Sequence, residues 1–180
     1  MSGPTTGLTP GPTTGGGPSE TPTVGTVVAF DALAPAEAVA LLQEICTAPR
    51  WARELVDGRP YGCLEKLQAA AEAALTDADL DDALAGHPRI GDRTAAGAAR
   101  REQAGVAGAA PETLAALAAA NRAYEARFGY VYLVCAGGRS AEDLLATALD
   151  RLDHDPAEER LVALGELAAI NRLRLAQALR

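Results

Sequence analysis

Through most of this chain the apolar residues recur three and four positions apart, the spacing that puts them on one face of a helix. Phe30 opens the patterned part. In DALAPAEAVALLQEICTAPRW, Leu33, Val39, Leu42 and Ile45 keep the helical period, and Pro35 suits a first turn, where its missing N–H costs nothing. A short helix is expected over 51–56, closed by Gly58 and Pro60. The next runs from Leu64 and Leu67 through alanines to Leu75. Thr76 stands three residues before Asp79, a capping-box spacing, and opens DADLDDALAG, which ends at Gly86. After the loop HPRIGD a helix is expected over 95–106. Another begins at Pro111, carries Leu114, Leu117, Asn121, Tyr124 and Phe128 along one side, and stops at Gly129.

YVYLVCAGG is the one stretch with strand character. It finds no partner elsewhere in the sequence, so an extended piece packed among helices is expected rather than a sheet. Ser140 caps the following helix, which has Asp143 in its first turn and carries Leu144, Leu145, Ala148 and Leu152. Asp155, Pro156 and Glu158 start the last helix with a second capping-box pattern. That helix can run to Leu179, about 36 Å at 1.5 Å per residue. About eight helices, short loops and no repeats make one all-α domain over 27–180.

Composition sharpens this picture in three ways. Residues 1–26 are mostly Gly, Pro, Thr and Ser with little to bury, and are expected to form a disordered tail. Beyond them, 48% of the whole chain is hydrophobic, mostly Ala and Leu, with two Phe, one Trp and four Tyr; such a core favours helices over strands. The formal net charge is −8 and no basic stripe is visible, which sets nucleic acid aside as a partner. It does not forbid a locally basic pocket. Cys46, Cys63 and Cys135 are isolated, with no C-x-x-C pair, so reduced thiols in the cytoplasm are expected rather than a zinc or iron–sulfur site. No apolar leader and no run of about 20 apolar residues is present, so neither secretion nor a membrane span is expected.

Candidate chemistry begins at AGHPRIGD, which holds one of two histidines. Pro88 disfavours helical backbone at His87, so the helix must end there, and Gly91 permits a tight turn. An imidazole fixed in this way is a ready acid–base group near neutral pH. The same residues also suit a helix end with no further role. His154 lies between Asp153 and Asp155 without metal-ligand spacing. RREQAG is either solvated surface or a site where Glu102 and Gln103 present an acceptor and a donor side by side. In INRLRLAQALR, Arg172 and Arg174 interrupt an apolar helix. The face of Arg174 is ambiguous between surface and pocket, where its planar fork would receive a carboxylate.

Taken in order, AGHPRIGD, RREQAGV, NRAYEARFGYVYLVCAGGRSAEDLL, RLDHDPAEE and ELAAINRLRL resemble the 2-oxo-4-hydroxy-4-carboxy-5-ureidoimidazoline (OHCU) decarboxylases of urate breakdown, over about residues 28–180. The resemblance implies an all-α homodimer that needs no metal or organic cofactor. It also implies loss of CO₂ from OHCU to give (S)-allantoin. By motif it implies that His87 is catalytic beside Pro88, and that Glu102, also catalytic, and Gln103 hold the ureido and ring nitrogens. Ala99, Arg100 and Arg101 fall on the substrate segment before that pair. Tyr132, Leu133, Val134, Cys135 and Ala136 line the ring with their backbone, and Arg174 is the late arginine that forks onto substrate. Backbone amides near Cys135 and Ala136 are then expected to hold developing charge, with the Cys135 thiol as packing. Departures are Ala99, where some members carry serine, His154, where many carry asparagine, and a short loop between HPRIG and REQAG. Two alternatives stay open: another lyase or hydrolase of a ureido compound on the same scaffold, and a non-enzymatic helical module in which HPRIG is only a turn.

Overall fold

The computed structural model describes residues 25–85, 87–91, 101–106 and 108–179. Among these it holds eight α-helices and no strand, as an all-α chain requires. Four of the eight begin with proline at the first turn, where a missing N–H is harmless: α2 (Pro35–Ile45), α3 (Pro49–Asp57), α6 (Pro111–Phe128) and α8 (Pro156–Ala178). The others are α1 (Val27–Ala32), α4 (Leu64–Ala74), α5 (Asp77–Ala85) and α7 (Ala141–Arg151).

Caps fall where short polar side chains stand. Thr26 accepts from Ala29 N–H at 3.2 Å, Ser140 from Asp143 N–H at 3.1 Å and Asp155 from Ala157 N–H at 2.9 Å. At α5, Asp79 reaches back to the N–H of Thr76 at 2.8 Å, the acid's half of a capping box. Gly129 ends α6 with φ +83°, a left-handed conformation that costs glycine nothing.

Some boundaries differ from the expectation. Leu33 is not part of α2; it caps α1, and Ala34 is held extended by Pro35 behind it. Helix α3 starts at Pro49, not at 51. Of the helix expected over 95–106, residues 92–100 lie outside the described residues. Arg101 and Glu102 are helical, and Ala104–Val106 is one 3₁₀ turn. The tail expected over 1–26 lies outside the described residues up to 24, and its last residue, Thr26, is the cap of α1.

Two apolar clusters form. One gathers α1–α5 and α8, with α8 lying against α2, α4 and α5; Trp51 at its centre donates its indole N–H to the Ala71 carbonyl at 2.8 Å. The other gathers α6, packed on α7, with Val106 and Ile90. The extended segment 131–136 runs between them. Its side chains alternate, as extended chain must: Val131, Leu133 and Cys135 pack on the first cluster, and Tyr132, Val134 and Ala136 join the second. This lone strand-like segment is therefore the seam of the molecule and one wall of its pocket.

Candidate active site

His87 follows the end of α5. Its ring Nδ1 lies 2.7 Å from the Ala83 carbonyl. A carbonyl only accepts, so Nδ1 carries the hydrogen and Nε2 of the neutral ring is left with a bare lone pair. Nε2 is buried and has no hydrogen-bond partner among the described residues. Burial holds the imidazole below the ordinary histidine pKa; the Ala83 bond opposes this, the Arg174 charge adds to it and the Glu102 charge opposes it.

The HPRIG turn is held from several sides. Gly91, at φ +82°, donates its N–H to Gln103 Oε1 at 2.8 Å, and Gln103 Nε2 lies 3.4 Å from the Arg89 carbonyl. From α6, Asn121 donates to the Ile90 carbonyl at 2.8 Å, and Glu125 receives the Arg89 fork at 2.6 and 2.8 Å. Gly105 belongs to the same construction: a Cβ there would lie 2.1 Å from the Arg139 carbonyl oxygen, so only glycine lets the 104–106 turn approach the chain after the wall.

Arg174 and Glu102 meet across the pocket in a bidentate pair, Nε to Oε1 at 2.7 Å and Nη2 to Oε2 at 2.9 Å. The remaining terminal nitrogen of Arg174 donates to the Ile45 carbonyl at 2.8 Å. The two side chains are 12% and 13% exposed, so the pair is largely out of water.

These groups enclose a pocket of about 300 Å³, open in part to solvent. His87, Pro88, Glu102, Gln103, Tyr132, Leu133, Val134, Ala136 and Arg174 all line it. Arg101 is exposed and does not, and Ala99 and Arg100 lie outside the described residues. Cys135 does not line it either. Its N–H is taken by Glu166 Oε2 at 2.8 Å, so it cannot serve in the donor pair expected there, and burial pushes its thiol pKa up. Arg174 lines the pocket with its fork on Glu102. Ile90 and Ile170 line the pocket without having been singled out. Ile170 stands four residues before Arg174 on α8, a same-face spacing that would have found it. Among the described residues, no three His, Cys, Asp or Glu side chains gather as metal ligands. No described helix is long and apolar enough to cross a membrane.

Fold and site together define an all-helical protein with a small pocket, where a neutral imidazole faces a carboxylate–guanidinium pair. The chain belongs to the OHCU decarboxylase family, whose model matches residues 31–176. It is 29% identical over 144 residues to the 2-oxo-4-hydroxy-4-carboxy-5-ureidoimidazoline decarboxylase of Haloferax volcanii, covering 74% of this chain and 84% of that protein. It is 29% identical over 128 residues to the Amia calva protein of the same name, covering 66% and 73%. A crystal structure of OHCU decarboxylase in the presence of (S)-allantoin shares the fold, with a TM-score of 0.67 at 23% identity over 75% of this chain and 94% of that one.

Proposed function

We propose that this chain removes CO₂ from OHCU and releases (S)-allantoin, with His87 as the proton-transfer group. The observation that carries this is the buried, unpartnered Nε2 of a neutral His87 in a pocket shared with Glu102 and Arg174. A bare imidazole nitrogen held out of water is a general base awaiting a hydroxyl.

The substrate carries its hydroxyl and carboxylate on one ring carbon, next to the ring C=N that bears the ureido arm. When CO₂ leaves, the bonding pair forms a C=C with that neighbour, and the ring nitrogen takes the displaced pair with a proton from water. His87 Nε2 removes the hydroxyl proton, the oxygen closes to a carbonyl, and the C=C pair takes a proton at the ureido-bearing carbon. An imidazolium fixed by Ala83 returns that proton from one side only, which yields one enantiomer. One proton is shuttled and one comes from solvent, balancing the lost carboxylate. Assistance of this kind is worth about 10²–10⁴-fold.

Glu102 keeps lone pairs for ureido N–H groups. Arg174 has five N–H bonds, three of them engaged, which leaves two for a carbonyl or carboxylate. Among the described residues the backbone of Val134 makes no hydrogen bond; extended chain turns it away from the side that meets Arg151 and Glu166, and Val134 lines the pocket. It is the edge on which the ring would be read. Gln103 contributes by holding the HPRIG turn. A homodimer in the cytoplasm belongs to the same proposal: Leu149, Leu161 and Leu173 offer exposed apolar area to a second copy, and the three cysteines are free thiols.

The test is purified protein mixed with freshly made OHCU, following CO₂ release and circular dichroism of the product. Fast release with a single sign of dichroism supports the proposal. A rate equal to spontaneous decay, or a racemic product, overturns it.

A further inference from the structure

An extended segment without sheet partners still has backbone groups to satisfy when it is buried. In 131–136 the Ala136 carbonyl accepts from the Arg139 N–H at 3.1 Å, and side chains of two helices take the Leu133 carbonyl and the Cys135 N–H. Arg151, at the end of α7, donates Nη1 to the Leu133 carbonyl at 2.8 Å. Glu166, in mid-α8, accepts the Cys135 N–H at 2.8 Å. The two partners face each other at 3.8 Å.

Arg151 is itself locked. Its Nε lies 2.8 Å from Glu159 Oε1, its Nη2 also bonds that carboxylate, and its guanidinium lies 5.1 Å from the Tyr132 ring centroid. Tyr124 donates its hydroxyl to the same Glu159 oxygen, and His154 Nδ1 lies 2.8 Å from the other. Glu166, Ile170 and Arg174 follow at four-residue intervals on one face of α8. One rigid helix thus grips the wall at Glu166 and, two turns or about 12 Å on, the Glu102 carboxylate at Arg174.

We propose that Glu166 and Arg151 are positioning residues that stand in for a neighbouring strand and set the register of the Val134 edge against His87 and Glu102. Neither lines the pocket. The functional part of this inference rests on the decarboxylase proposal; the anchoring part does not. Glu166 is partly exposed, so its replacement leaves the core intact.

The experiment compares wild type, Glu166→Ala and Glu166→Gln. Glutamine keeps a carbonyl oxygen able to accept the Cys135 N–H; alanine does not. Amide exchange at Cys135 should quicken at least tenfold in Glu166→Ala and stay within threefold of wild type in Glu166→Gln. On OHCU, Glu166→Ala should lose tenfold or more in kcat/KM and some of its enantiomeric purity, with both restored in Glu166→Gln. Unchanged exchange in Glu166→Ala overturns the anchoring. Quickened exchange with unchanged kcat/KM and product purity overturns the positioning role. A wild type that does not turn over OHCU defeats the decarboxylase proposal instead, and exchange still decides the anchor.

Discussion

Replacing Gly105 with alanine tests whether the backbone approach beneath the pocket matters. The added Cβ would start 2.1 Å from the Arg139 carbonyl oxygen, with the carbonyl carbon at 3.2 Å. Backbone cannot swing aside as a flexible side-chain tip can, so the turn must retreat by about 1 Å to reach ordinary contact. Overpacking of this kind costs about 1–3 kcal/mol. For a domain of this size each kcal/mol lowers Tm by roughly 2–4 °C. Glu102 and Gln103 stand directly before this turn, so they move with it. A 1 Å misplacement of positioning groups costs on the order of 10²-fold in rate. Gly108→Ala is the control: its Cβ meets nothing within 4 Å, so it should stay within about 0.5 kcal/mol of wild type. Thermal melts and kcat/KM on OHCU, measured for both variants, decide the matter. If Gly105→Ala melts and turns over like Gly108→Ala, the close approach is not what places Glu102.

Three further outcomes are expected. His87→Asn should lower kcat by about 10²–10⁴-fold with an unchanged melt, because it removes the base and little packing; wild-type turnover in that variant would end the role given to His87. Burial holds the wild-type imidazole below 6.5, and its active form is the neutral one. Activity should therefore be flat through pH 7 and fall only as pH drops through that lowered value, so a midpoint at or above 6.5 would refute the reasoning. Stability follows the same sign: the unfolded chain takes the proton more readily, so this contribution is full above the unfolded value and is lost as pH falls through the folded one. Arg174→Lys keeps the charge but cannot fork onto Glu102 and reach Ile45 as well. Losing a hydrogen bond to a charged group costs about 1.5–3 kcal/mol, or roughly 10–100-fold in kcat/KM, and a change under twofold would show that the fork is dispensable.

Much of the helical frame was legible because its punctuation is local. Prolines 35, 111 and 156, Ser140 and Gly129 each act within a turn of their own position. The Pro49 start of α3 obeys the same rule and was there to be read. The pocket lining was reached through the resemblance that HPRIG, REQ and the wall carry together, since local chemistry alone left His87 as a helix end and REQ as surface. Partnership was not. Arg174 finds Glu102 across 72 positions, and nothing in either local sequence says that its fork is already occupied. Gln103 has the right chemistry for a ureide, yet its oxygen holds the Gly91 N–H. For Cys135 the signal existed: in extended chain, alternate residues face opposite ways, so it had to point away from Tyr132, Val134 and Ala136.

The pairing of Glu102 with Arg174 also bears on the base. Alone in a pocket sheltered from water, a guanidinium would oppose protonation of His87 and a carboxylate would favour it; both influences are present, with opposite sign. Because the two charges sit together, they largely offset, and burial decides the protonation state. Removing one charge unbalances the pair. Glu102→Gln leaves the arginine acting alone and should move the acid limb of kcat/KM to lower pH. Arg174→Gln leaves the carboxylate alone and should move it to higher pH. Shifts in the same direction, or none in either variant, would mean that the ion pair does not tune the imidazole and that its part is confined to holding the ligand.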